Sequence, residues 1–158
     1  MRKHQVKTGS GDGSCVCGAV RFTVSFPSRF CSHCHCDNCR RAHSAAFVTY
    51  LGFKSAQVRV RAGRNALAEY AYSYKLKGKS ITSRRRFCRK CGTQLFFESS
   101  RWPGEIHVPL AAIPRGADRA PQLHFYFDHR PAWMIPVNDR LPKYGGKTGG
   151  EKIRSASN

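Results

Sequence analysis

The eight cysteines of this chain fall into three tight groups, Cys15/Cys17, Cys31/Cys34/Cys36/Cys39 and Cys88/Cys91. No other feature limits the possible folds as strongly. A disulfide framework spreads its cysteines along the chain, whereas thiols one or two residues apart converge on a single ion. Zinc is the ion this pattern predicts. The opening stretch MRKHQVKTGSGDG is charged and glycine-rich with no apolar segment behind it, so no secretory signal is expected. No apolar run approaches the roughly 18–20 residues of a membrane span. Both observations point to a reducing, cytoplasmic setting in which thiols stay available to a metal.

The outer groups have complementary geometry. Cys15-Val16-Cys17 stands at the mouth of a candidate strand, and Cys88-Arg89-Lys90-Cys91-Gly92 forms a C-x-x-C-G knuckle after another. The glycine allows the tight turn that aims two sulfurs at one ion. If the fold brings them together, Cys15, Cys17, Cys88 and Cys91 make one closed tetrahedral site that clamps the first strand to a later hairpin. Structural zinc of this kind contributes directly to folding.

The middle group supplies Cys34, Cys36 and Cys39 in the pattern C-x-C-x-x-C. Cys31 or His33 could complete a closed site. Strand alternation would instead put Cys34 and Cys36 on one face and Cys31 on the other. Three protein ligands would then leave an open position, which marks catalytic rather than structural zinc. His33, His35 and His43 crowd the same cluster, and one of them could move a proton. His124, set among aromatics, is expected to be packed or hydrogen-bonded. Arg40 and Arg41 directly follow Cys39, and their guanidinium groups suit bidentate capture of a carboxylate.

Between the cysteines the hydrophobic period is two. In AVRFTVSF, Val20, Phe22, Val24 and Phe26 alternate with Arg21, Thr23 and Ser25, which predicts a half-buried strand. Further strands are predicted at 46–53, 57–62, 93–99, 105–113 and 122–127. Residues 67–88 read as a hairpin turning at Lys77-Gly78-Lys79. The one helical candidate is Asp37–His43, with Asp37 as its cap. Many short strands with turn signals between them predict an antiparallel all-β domain with short helical turns. Residues 1–12 read as a flexible basic leader, 13–144 as the folded domain and 145–158 as a disordered Gly/Ser/Lys tail.

Twenty-eight Lys and Arg against nine Asp and Glu give a formal charge of +19. Such a surface draws anions. The run SRRRFCRK at 83–90, with Lys75, Lys77 and Lys79 upstream, could line phosphates on the hairpin. This gives an alternative function: a zinc-stabilised binding module for nucleic acid or another polyanion, without catalysis.

GSCVCGAVRFTV, CHCDNCRR, FCRKCGTQLFF and LHFYFDHRPAWMIP, in that order, resemble the glutathione-dependent formaldehyde-activating enzyme family, whose domain is shared with centromere protein V. The resemblance covers roughly residues 12–144. It implies the family's β-tent fold, antiparallel sheets pinned by zinc. Cys15, Cys17, Cys88 and Cys91 match the structural zinc positions, and Cys34, Cys36 and Cys39 match those of a second, catalytic zinc, so two ions per chain are implied. Cys31 has no counterpart in the motif. The implied activity is condensation of formaldehyde with glutathione to S-(hydroxymethyl)glutathione, a carbon–sulfur lyase reaction. Arg40 and Arg41 would then meet a carboxylate of that small thiol.

Overall fold

A computed structural model describes residues 8–134 and 139–153. The chain begins with strands β1 (Gly9–Ser14), β2 (Val20–Phe26) and β3 (Phe30–Cys34), then a short helix α1 (Asp37–His43), β4 (Val48–Lys54) and β5 (Val58–Ala62). It continues through β6 (Leu67–Leu76), β7 (Lys79–Cys88), β8 (Gln94–Ser99) and β9 (Glu105–Pro109), and ends with β10 (Leu123–Phe125), β11 (Tyr144–Gly145) and β12 (Glu151–Lys152). The fold is all-β, as the period-two patterning predicts. The described residues group into two compact units, one built from those of 8–30 and 51–120, the other from those of 31–50 and 121–153.

In the first unit, β2 lies between β1 and β5 in a three-stranded antiparallel sheet. Its alternation works as expected: Val20, Phe22 and Val24 are buried while Arg21 and Ser25 face out. Each such side chain contributes roughly 1.5–3 kcal/mol on burial. Phe22 meets Phe96 of β8 edge to face, with ring centroids 5.1 Å apart. A second antiparallel run has the order β9-β8-β7-β6. Its long hairpin pairs Leu76 with Lys79 across Lys77-Gly78, whose φ angles of 48° and 78° give the left-handed two-residue turn that matches strand twist.

β1 lies partly inside the stretch read as a leader. Its sequence, GSGDGS, has the composition of a linker, yet it pairs residue by residue with β2. A Cβ at Gly13 would collide with the Phe22 ring and the Ala112 carbonyl, and one at Gly11 would press on the Phe26 ring. At these glycines the Phe22 and Phe26 rings occupy the space a side chain would fill, so the glycines serve packing and not looseness.

In the second unit, β10 runs parallel to β3, setting His124 opposite His33 and Phe125 opposite Cys34. This pairing departs from a purely antiparallel reading. β4 flanks β3 on its other side. α1 occupies the predicted residues, but its cap is Cys36 rather than Asp37: the Cys36 sulfur accepts the Cys39 amide, and Asp37 sits in the first turn where its charge favours the helix dipole. β11 and β12 pair within the stretch read as a tail. Gly145 has no room for a Cβ beside the Asp128 carboxylate, nor Gly149 beside the Tyr126 ring. Among the described residues, no helix is long and apolar enough to cross a membrane.

Candidate metal centres

The first unit brings Cys15, Cys17, Cys88 and Cys91 together, with all four sulfurs within 4.8 Å of one another. The Cys15–Cys17 and Cys17–Cys88 sulfur separations are 3.6 and 3.8 Å. A tetrahedron with metal–sulfur bonds of about 2.3 Å has edges of about 3.8 Å, so these distances suit one ion rather than a pair of disulfides. None of the eight cysteines is in a disulfide. The backbone turns do the aiming. Gly92, at φ 74°, lets its amide return to the Cys88 carbonyl at 2.8 Å. Thr93 joins the two knuckles: its hydroxyl oxygen accepts the Val16 amide at 3.2 Å and lies 3.1 Å from the Cys91 sulfur. Hydrogen bonds from the Thr93 hydroxyl and amide pull the Cys91 thiol down to about 5. The Val20 amide donates to the buried Cys15 sulfur at 3.3 Å.

The second unit gathers Cys34, Cys36 and Cys39, again with sulfurs within 4.8 Å. Cys34 ends β3, Cys36 caps α1 and Cys39 lies in its first turn. Strand alternation accounts for Cys34 alone; the turn into the helix, not the pleat, delivers Cys36. The Cys39 amide donates to the Cys36 sulfur at 3.4 Å, and the Tyr50 hydroxyl donates to the Cys39 sulfur at 3.9 Å. Contact with Cys36 and Cys39, then burial, pushes the Cys34 thiol well above its ordinary range. The Cys34 contact lowers Cys36, but Cys39 and burial outweigh it and raise the thiol to about 12. Three thiols packed this closely do not ionise together unless a cation joins them, and soft sulfur donors select an ion such as zinc. Among the described residues no fourth Cys, His, Asp or Glu joins the group. Cys31 is fully buried on β3 outside it, and its amide donates to the Gln122 side-chain oxygen at 3.2 Å.

The histidines around the trio have specific partners. His33 Nδ1 lies 2.8 Å from the Thr49 hydroxyl, and His43 Nε2 lies 3.1 Å from the Tyr50 hydroxyl. His35 and His124 are fully buried and joined Nε2 to Nδ1 at 2.8 Å, and His124 Nε2 meets the Asp139 carboxylate at 2.7 Å. A carboxylate accepts, so His124 Nε2 donates to Asp139, and a neutral His124 ring offers Nδ1 as acceptor to His35 Nε2–H. His35 Nδ1 is buried with no hydrogen bond among the described residues. Burial first, then His124, His33, Arg130 and Arg40, lower His35 to about 4, so its ring is neutral at neutral pH. Asp139 was not legible in the sequence: no spacing rule links it to residues 35 and 124.

Arg40 and Arg41 differ in their surroundings. Arg40 Nη1 donates to the Asp37 carboxylate and to the His129 carbonyl, both at 2.9 Å. Arg41 is exposed. The basic run on β7 is largely occupied within the protein. Arg84 pairs with Glu69 at 3.6 Å, Arg86 with Glu98 at 2.7 Å, and Arg85 is buried over the Phe97 ring.

Comparison with known proteins identifies relatives of this chain. Residues 10–129 match the family described as glutathione-dependent formaldehyde-activating enzyme. A Halomonas elongata protein named "Putative glutathione-dependent formaldehyde-activating enzyme" is 29% identical over 126 residues, covering 78% of each chain. An uncharacterised lyase of Schizosaccharomyces pombe is 29% identical over 86 residues, covering 54% of this chain and 56% of its own. A solved Rhodobacter sphaeroides protein structure aligns with a TM-score of 0.49 at 26% identity, covering 64% of this chain and 85% of that one.

Proposed function

We propose, from the fact that this chain belongs to the glutathione-dependent formaldehyde-activating enzyme family, that it is a zinc-dependent carbon–sulfur lyase-type enzyme acting on the adduct of a small thiol and an aldehyde. One observation carries this reading: the Cys34/Cys36/Cys39 group brings three sulfurs together without a fourth protein donor among the described residues. A four-sulfur group closes the sphere of a tetrahedral ion, whereas three leave a position for substrate. In this reading Cys15, Cys17, Cys88 and Cys91 hold a structural zinc, and Cys34, Cys36 and Cys39 hold a second one. Bound there, zinc supplies Lewis acidity and lowers the pKa of a coordinated thiol.

The chain's own residues would prepare the site. Hydrogen bonds from the Cys39 amide and the Tyr50 hydroxyl stabilise negative charge on the Cys36 and Cys39 sulfurs. The His124–Asp139 pair holds His35 in one tautomer, and a neutral ring between two sulfur ligands adds no positive charge to compete with the ion. Arg41 is the better placed of the two arginines to take a glutathione carboxylate, since Arg40 already holds Asp37 and the His129 carbonyl. Thiolate ligands suit a cytoplasmic location. The working domain would run from β1 through β12, beyond the 13–144 read from sequence at both ends.

The test is metal and activity together. The wild-type chain should carry two zinc ions, and Cys36→Ser should carry one, keep its fold by circular dichroism and lose accelerated S-(hydroxymethyl)glutathione formation from formaldehyde and glutathione. Undiminished acceleration in the one-zinc variant would refute the assignment.

A further inference from the structure

The outer face of the β1-β2-β5 sheet sets two arginines directly opposite one another, Arg21 on β2 and Arg61 on β5. Like charges so placed weaken a strand pair. Four arginines of this unit are compensated by a carboxylate: Arg29 by Glu105, Arg84 by Glu69, Arg86 by Glu98 and Arg119 by Asp118. Arg21 and Arg61 are in no ion pair among the described residues, and neither is Arg115, which enters the same space from the loop after Ile113. All three line one cavity of about 460 Å³. Small-molecule sites run from about 300 to 1,000 Å³.

The only carboxylate in the lining is Asp12, which accepts the Thr23 hydroxyl at 3.0 Å. Arg21 Nε makes one long contact, 3.4 Å, to the Gly18 carbonyl. Three guanidinium groups against one carboxylate leave a net +2 in the cavity. A phosphomonoester carries about −1.5 to −2 at neutral pH, and its oxygens match the guanidinium fork. Val16, Phe22 and Pro114 give the same cavity apolar wall for a ligand body. We propose that this cavity binds a small phosphomonoester of about mononucleotide size, held by Arg21, Arg61 and Arg115. The site is independent of the lyase reading, since its lining comes from the first unit and includes none of Cys34, Cys36 and Cys39.

Isothermal titration of the full chain decides the matter, with inorganic phosphate, adenosine 5′-monophosphate, adenosine, glutathione and a short oligothymidylate as probes. Phosphate and adenosine 5′-monophosphate should bind and adenosine should not. Arg61→Ala and Arg21→Ala should each weaken binding roughly tenfold or more. Arg59→Ala removes the same charge from the same strand, outside the cavity lining, and should leave affinity within about twofold. Equal losses in the Arg59 and Arg61 variants would mean a general field and overturn the proposal. So would binding of oligothymidylate without the monophosphate, or displacement of phosphate by glutathione at lower concentration. Loss of zinc in Arg61→Ala, with monophosphate binding unchanged, would make these arginines counter-charges to the Cys15 centre and would also overturn it.

Discussion

His35 Nε2 lies 2.8 Å from His124 Nδ1, and both rings are wholly buried. Removing His124 leaves His35 Nε2 unpaired and takes one partner from the Asp139 carboxylate, and removing His35 leaves His124 Nδ1 unpaired. His124→Ala should cost about 3 kcal/mol, combining a cavity with unsatisfied partners, read as a lower denaturation midpoint. Asp139→Asn should cost less, about 1 kcal/mol, because the amide oxygen still accepts from His124. Equal stability of all three proteins would mean that the chain of hydrogen bonds carries no weight.

Gly13 tests whether β1 is a packed strand or a tether. Its Cβ would strike the Phe22 ring and a backbone carbonyl, neither of which yields cheaply. Gly13→Ala should therefore destabilise by roughly 1–3 kcal/mol. Gly63 has open space around it, so Gly63→Ala should be neutral or stabilising by up to about 1 kcal/mol. Thermal melts of the pair provide the comparison.

Acid should weaken the first unit through Glu105. The hydrogen bond from His107 first, and the charges of His107 and Arg29 after it, outweigh burial and hold this carboxyl below its ordinary 4.5. Its Oε1 lies 2.7 Å from His107 Nε2, and Arg29 Nε lies 3.1 Å from Oε2. A depressed carboxyl pKa stabilises the fold fully above the unfolded value, and that contribution fades as pH falls through the folded one. Stability measured by urea unfolding should drop below about pH 4.5, and Glu105→Gln should flatten that drop. An unchanged slope would remove Glu105 as its source.

Arg40 and Arg41 should separate kinetically. Arg41→Ala should raise KM for glutathione roughly tenfold with the melting temperature unchanged. Arg40→Ala should lower stability by about 1 kcal/mol, since it frees Asp37 and the His129 carbonyl. The reverse pattern would assign substrate capture to Arg40.

Much of this was legible in the sequence because thiol spacing and strand period are local signals. The three-sulfur group, the Lys77-Gly78 turn and α1 each follow from residues close together in the chain, and the four-sulfur group is two such local pairs, Cys15/Cys17 and Cys88/Cys91, that the fold joins. What stayed hidden depends on contacts across the chain. The glycines of β1 resemble a linker until Phe22 and Phe26 lie against them. The parallel pairing of β10 with β3 has no local signature, and without it His124 cannot be set beside His35, nor Asp139 beside His124. The arginine run at 84–86 looked like a phosphate track because sequence gives charge but not partners; Glu69 and Glu98 neutralise two of its members from neighbouring strands.

The two sulfur groups also differ in how much chain each must tie together. Cys34 to Cys39 occupy six consecutive residues, so a nascent polypeptide can load that group soon after it leaves the ribosome, and emptying it later need not disturb the topology. Cys17 and Cys88 are 71 positions apart, and holding such a span shut opposes chain entropy worth on the order of 4 kcal/mol. An ion there would act as a late-fastened buckle, and stripping it should unfasten the hairpin from the first strand while the local trio keeps its shape.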